Sequence, residues 1–173
     1  DQTPAVTVDA TYSHAEAAAT TFQTFTIVDT DTTGTYTCTL GGNDAADFSA
    51  SISGKVCTVT WAANPDFENP ADTGTNNVYD ITIAFSDGDN DLAAQTTAIT
   101  VTDVNEAPVV ANAIADASTN EDASYSLSLS NVFSDVDSGD TCTYSMSGAP
   151  DTLTLSSGTI SGTPTNANVG AHT

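Results

Sequence analysis

Along the chain, apolar residues alternate with hydroxyl-bearing ones in short runs, and no window keeps a 3.6-residue apolar period for long. This pattern predicts strands with one face buried and the other in water. The first expected strand covers residues 5–8, directly after Pro4. Residues 14–19 stay open between a short helical turn and a bulged continuation. A second strand covers 20–28, with Phe25 and Ile27 on one alternating set, and a third covers 35–40. Phe48, Ala50 and Ile52 carry a fourth, and residues 56–61 form a fifth. The sixth covers 78–85, with Tyr79, Ile81, Ile83 and Phe85 toward the core, and the seventh covers 94–101. Turn chemistry separates them: Asp29-Thr30-Asp31 with Gly34, Gly41-Gly42-Asn43-Asp44, Ser53-Gly54, the Gly- and Asn-rich run 71–77, and Asp87-Gly88-Asp89-Asn90-Asp91.

The next stretch, Asp103-Val104-Asn105-Glu106-Ala107-Pro108, places three oxygen-bearing side chains in four residues and closes on proline. Pro108 fixes its own φ and biases Ala107 toward extended geometry, so the stretch reads as a stiff junction between β modules. Pro4 followed by Ala5-Val6 parallels Pro108 followed by Val109-Val110, a repeat of roughly a hundred residues, as in arrays of sandwich domains. In the second module Tyr125, Leu127 and Leu129 alternate, as do Cys142, Tyr144 and Met146, and Leu153, Leu155 and Ile160 follow. The expected fold is all-β: tandem immunoglobulin-like β-sandwiches over residues 1–105 and 106–173, the second incomplete within this chain. Its last strands are expected from residues beyond Thr173 or from another chain, because an open sheet edge invites pairing.

Charge changes the picture most. The chain holds 23 acidic residues and one basic residue, Lys55, for a net charge of -22. A phosphate backbone or an anionic membrane surface would be repelled, so neither nucleic acid nor membrane is an expected partner. Salt bridges cannot be a main source of stability when one cation serves the whole chain. Self-repulsion of this size is relieved by counter-ions. Carboxylates spread as a solvated coat are one account; carboxylates gathered as metal ligands are the other, and their clustering at recurrent places favours the second. No apolar run is long enough to span a bilayer, and no signal peptide is evident.

The three cysteines bear on compartment. Cys38 and Cys57 each share a strand face with large apolar residues and are expected on neighbouring strands of one module. A disulfide between them and two buried thiols are equally compatible with the sequence. Cys142 reads as a core thiol, or as half of a bridge to a residue outside the chain. His14 and His172 have no nucleophile or metal-ligand motif around them and read as surface residues. The paired acids do not add up to glycoside hydrolysis, because aromatic residues make up only 7% of the chain and offer no sugar platform. No enzymatic activity is expected.

The ordered series Glu16, Asp29-Thr30-Asp31, Asp66-Phe67-Glu68, Phe85-Ser86-Asp87 and Asp103-Val104-Asn105-Glu106-Ala107-Pro108 resembles the bacterial cadherin-like repeat of large repeat adhesins. The second module resembles a partial dystroglycan-type cadherin-like domain, through Phe133-Ser134-Asp135-Val136-Asp137-Ser138-Gly139-Asp140, Thr143-Tyr144-Ser145 and Ser161-Gly162-Thr163-Pro164-Thr165. The resemblance implies calcium between consecutive domains. Its ligands would be Glu16, Asp66, Glu68, Asp103 and Glu106, the backbone carbonyls of Val104 and Asn105, and Asp135 and Asp137. Asp29, Asp31 and Asp87 would serve a second junction at the opposite end of the first module, although Asp87 reads equally well as a turn-former. Ala107 stands where the family usually has a linker asparagine.

The function so implied is mechanical: a calcium-rigidified stalk or adhesin segment of a cell-surface or secreted protein, bacterial or archaeal. Its partners would be neighbouring domains of a longer array or identical subunits. Two alternatives remain. One is a self-assembling filament or surface-layer subunit completed by strand donation in trans. The other is an adhesive module that takes a glycan or protein ligand.

Overall fold

The computed structural model describes residues 2–30 and 34–170. The chain divides into two compact units, Asp1–Val104 and Asn105–Thr173. It is all-β, with two single-turn 3-10 helices and no α-helix among the described residues.

Unit 1 is a sandwich of two sheets. Its seven strands are β1 (Thr11–Ala15), β2 (Thr21–Thr26), β3 (Thr37–Gly41), β4 (Phe48–Ser53), β5 (Val56–Trp61), β6 (Val78–Ser86) and β7 (Gln95–Thr102). One sheet has the order β1-β7-β6-β3 and the other β2-β5-β4. All neighbours are antiparallel except β1 and β7, which run parallel with His14 opposite Val101. The expected alternation is realised in β6, where Tyr79, Ile81, Ile83 and Phe85 are buried between more exposed neighbours. With Phe25, Ile27, Phe48, Val59, Trp61, Ile99 and Val101 they form one core. Phe48 and Trp61 lie 4.2 Å apart between ring centroids, and Trp61 meets Tyr79 edge-on at 4.9 Å. Such offset and edge contacts match the positive edge of one ring to the negative face of another.

Three expectations change here. Residues 5–8 contribute a single bridge, Ala5 to Val28, and the first full strand is β1. Its sequence Thr-Tyr-Ser-His-Ala alternates as a strand should, with Tyr12 and His14 half-buried. The chain leaves it through a turn in which Ala17 has φ 52°, so residues 14–19 divide into a strand end and a turn. His14 is not a surface residue: its ring lies 5.4 Å from Trp61 and 6.4 Å from Phe22, and burial holds its pKa below the ordinary value. His172 lies outside the described residues.

Cys38 and Cys57 are joined by a disulfide with 6.0 Å between Cα atoms. They sit on β3 and β5, strands of the two facing sheets rather than neighbours in one. The bridge therefore ties the two layers together through the core.

Unit 2 carries β8 (Val109–Val110), β9 (Tyr125–Ser128), β10 (Phe133–Ser134), β11 (Leu153–Ser156) and β12 (Thr159–Gly162). β8 pairs with β10, and the other three form the sheet β11-β12-β9. Cys142, Tyr144 and Met146 alternate in burial as expected, yet residues 141–147 join no ladder. The periodicity was legible, but a strand also needs a neighbour, and none of the described residues supplies one. Cys142 is a half-buried free thiol.

Candidate metal centre

Glu16 organises one end of unit 1. It follows β1 directly, and its backbone N–H donates to the carbonyl of Thr102. Its side chain is 5% exposed. One carboxylate oxygen accepts the N–H of Phe67 at 2.7 Å, and the other accepts the N–H of Val104 at 2.8 Å. A single buried acid thus draws together the turn after β1, the 64–70 loop and the exit from β7. A buried carboxylate is tolerated when its oxygens are hydrogen-bonded, and each oxygen here keeps a lone pair free for a cation.

The consequence is a carboxylate cluster. Oxygens of Glu16, Glu68 and Asp103 lie within 4.8 Å of one another. Glu68 is carried by the loop whose Phe67 Glu16 holds, and Asp103 by the segment whose Val104 it holds. Asp66 does not join this cluster. It is exposed, and its Oδ1 accepts the N–H of Asn69 at 2.9 Å, so it caps its own loop.

Unit 2 has a separate cluster of Asp135, Asp137 and Asp140, again within 4.8 Å. Oδ1 of Asp135 accepts the N–H of Asp137 at 3.2 Å, and Oδ2 of Asp137 accepts the N–H of Glu106 at 2.9 Å. Oδ1 of Asp137 is buried without a hydrogen-bond partner. The adjacent Asn105 donates its side-chain amide to the carbonyl of Glu106 at 2.6 Å. Asp140 ends the Phe133–Asp140 motif but is not among the expected ligands; its spacing from Asp137 across Ser138-Gly139 is the signal for it.

At the other end of unit 1 the acids behave differently. Asp29 Oδ2 accepts the hydroxyl of Tyr36 at 2.6 Å, and Lys55 donates to the Asp29 carbonyl at 2.7 Å. The Asp29 bond, with burial behind it, raises the Tyr36 pKa above its ordinary value. Asp87 is buried and accepts the N–H groups of Asp89 at 2.9 Å and Asn90 at 2.6 Å, with the Asn90 bond the main cause of its lowered pKa. It closes its own turn. Gly34 lies against that turn, where a Cβ would meet the Asp87 carbonyl at 2.6 Å. Asp31 lies outside the described residues. Asp29 and Asp87 join no metal-sized cluster among the described residues.

Two further buried acids, Asp44 and Asp72, escaped the sequence reading. Asp44 accepts the N–H of Thr73 at 2.7 Å, the Thr73 hydroxyl at 2.6 Å and the N–H of Asp80 at 2.7 Å. Asp72 accepts the N–H groups of Asn76 and Asn77 at 3.1 Å and 3.0 Å. Both are scaffold groups: Asp44 pins the 71–77 loop to β6, and Asp72 closes that loop on itself. Burial alone would raise the Asp44 pKa, but the bonds from Thr73 and Asp80 bring it below the ordinary value. Burial, with the charges of Asp44 and Asp72 behind it, raises the Asp47 pKa.

The two metal-sized clusters offer hard oxygen donors only, with no imidazole or thiolate in either, which fits calcium or magnesium rather than zinc or copper. Residues 107–173 match the family described as a putative Ig domain. No curated protein matches the chain. Among solved structures, the human desmocollin-1 ectodomain is similar with a TM-score of 0.54 and 13% identity, covering 94% of this chain and 33% of that one. The protocadherin gammaB4 extracellular domain has 23% identity and a TM-score of 0.48, over 92% of this chain and 27% of that one. A protocadherin gammaB7 cis-dimer structure has 24% identity and a TM-score of 0.43, over 61% of this chain and 25% of that one. The desmocollin likeness establishes the cadherin-like sandwich fold, and the chain spans about a third or less of the length of these structures.

Proposed function

We propose that this chain is a calcium-stiffened segment of an extracellular stalk or adhesin, in the manner of bacterial cadherin-like repeats. The observation that carries the reading is the Glu16 clamp, which spends a buried carboxylate on assembling two more carboxylates. A like-charged cluster built this way needs a cation to be favourable. Glu106 lies three residues beyond Asp103 in sequence and, within unit 2, donates its N–H to Asp137. Glu16, Glu68, Asp103, Glu106, Asp135 and Asp137 would hold the ions, with the carbonyls of Val104 and Asn105 and with Asp66 or Asp140 at the margin. Calcium takes 6–8 oxygen ligands at about 2.3–2.6 Å, a demand these groups suit. The ion would supply charge neutralisation and cross-linking. The protein contributes the rest: Glu16 holds the loops, and Pro108 keeps the junction extended.

The Cys38–Cys57 bridge supports an oxidising, extracellular setting. No described helix is long and apolar enough to cross a membrane. The test is calorimetric titration of calcium into the chelated protein. Saturable binding is expected, weakened at least tenfold or so in Glu68→Gln/Asp103→Asn, as loss of two ligands requires. Binding that is absent, or unchanged in the variant, contradicts the reading.

A second reading, a subunit completed by a strand from another molecule, has one observation in its favour. The sheet β11-β12-β9 lines an open cavity of about 1030 Å³ with Tyr125, Leu127, Leu153 and Ile160, beside the unladdered Met146. Sedimentation at rising concentration distinguishes it: concentration-dependent assembly supports donation between copies, and a single monomeric species rejects it.

A further inference from the structure

We infer that Asn77 is a positioning residue for the calcium cradle, an inference that rests on the calcium reading above. Asn77 touches none of the proposed ligand atoms, but it holds backbone groups close in sequence to two of the residues that carry them. Its side-chain Nδ2 donates to the carbonyl of Phe67 at 2.8 Å. That carbonyl belongs to the peptide unit immediately before Glu68. Glu16 holds the preceding unit through the Phe67 N–H at 2.7 Å. The two peptide units flanking Phe67 are therefore both held, and the Glu68 carboxylate starts from a fixed Cα. A carbonyl can only accept, so the bond also settles which end of the Asn77 amide faces it.

The same residue reaches the other arm of the cradle. The Asn77 carbonyl accepts the N–H of Val101 at 2.8 Å, two residues before Asp103. Val101 is 1% exposed, so this bond is sheltered from water. Asn77 is itself anchored by its N–H to Asp72, a carboxylate 2% exposed. Its φ of 62° lies in the left-handed region, which asparagine tolerates better than most residues and glycine better still. Asn77 thus links the backbone beside Glu68 to the strand that leads into Asp103, as Glu16 links the backbone beside each of them. Groups that orient ligands without touching the metal are usually worth about 10–100-fold in metal affinity.

The backbone conformation supplies a clean variant. Asn77→Gly keeps the left-handed turn and both backbone bonds but deletes the amide. Asn77→Asp keeps the shape but sets a carboxylate oxygen against the Phe67 carbonyl. Ile52→Val, a core change on β4 away from the cradle, serves as the control for general destabilisation. Calcium midpoints from calorimetry and melting temperatures in chelator are measured for all four proteins. The expected result is a calcium midpoint about tenfold higher in Asn77→Gly, at least as high in Asn77→Asp, and unchanged in Ile52→Val despite its lower melting temperature. If the wild type binds calcium and Asn77→Gly binds it equally well, with only its melting temperature reduced, the positioning role is overturned and the calcium reading stands. If the wild type binds no calcium, both fall.

Discussion

Glu16 shows what a residue can and cannot disclose in a sequence. As an acid just after a strand-like run it was legible as a candidate ligand. Its partners were not, because they lie 51 and 88 residues further along the chain. Replacing it by alanine leaves the N–H groups of Phe67 and Val104 without their acceptor, at up to about 1–3 kcal/mol for each that water does not reach. Glu16→Ala is therefore expected to lose several kcal/mol in urea unfolding, far more than Asp66→Ala, whose exposed carboxylate serves one local bond. Asp44 and Asp47 give opposite pH signatures. Asp44 titrates below 3.8 when folded, so its contribution is complete above that pH and is lost as pH falls through the folded value. Asp47 titrates above 3.8 when folded, so its ionisation opposes folding as pH rises past that point. Asp47→Asn is expected to raise the melting temperature at pH 7 and to lose that advantage near pH 3; a gain that persists at pH 3 would rule out the charge as its origin.

At the scale of elements, strict alternation made β4 to β7 readable almost to the residue. The sixteen residues between β5 and β6 were readable only as loop, because their order comes from Asp44, Asp72 and Asn77 holding backbone N–H and carbonyl groups, and side-chain caps of that kind leave no periodic trace. β1 was obscured by the alanine-rich turn that follows it. The cysteine pair was legible as a pair but not as a tie between layers, because alternation says which face a residue occupies and not which sheet its strand joins. With a separation of 19 residues, the bridge restricts the unfolded chain by roughly 3 kcal/mol. The double change Cys38→Ala/Cys57→Ala is expected to lower the melting temperature of unit 1 by more than about 10 °C. A shift of a degree or two in calorimetry would mean that the core alone holds the sheets together.

For the whole molecule, the telling feature is where the acids are. Of the 23, one, Asp80, lies within a strand of the described structure. The outward strand positions carry Ser and Thr instead, as in the row Thr24, Thr58 and Ser51 across β2, β5 and β4. Charge is thereby concentrated in the loops, and a divalent ion at a few sites relieves it better than a diffuse salt atmosphere. Calcium well above its dissociation constant, by about a hundredfold, should add roughly 2.7 kcal/mol per site that binds only the folded form. The central claim is that calcium joins the acids of unit 1 to those of unit 2 and makes the junction stiff. Small-angle scattering of the chain in millimolar calcium and in chelator, at equal ionic strength, tests it most directly. The account predicts one extended, rigid profile with calcium and a broader, flexible ensemble without it; two superimposable profiles would contradict it.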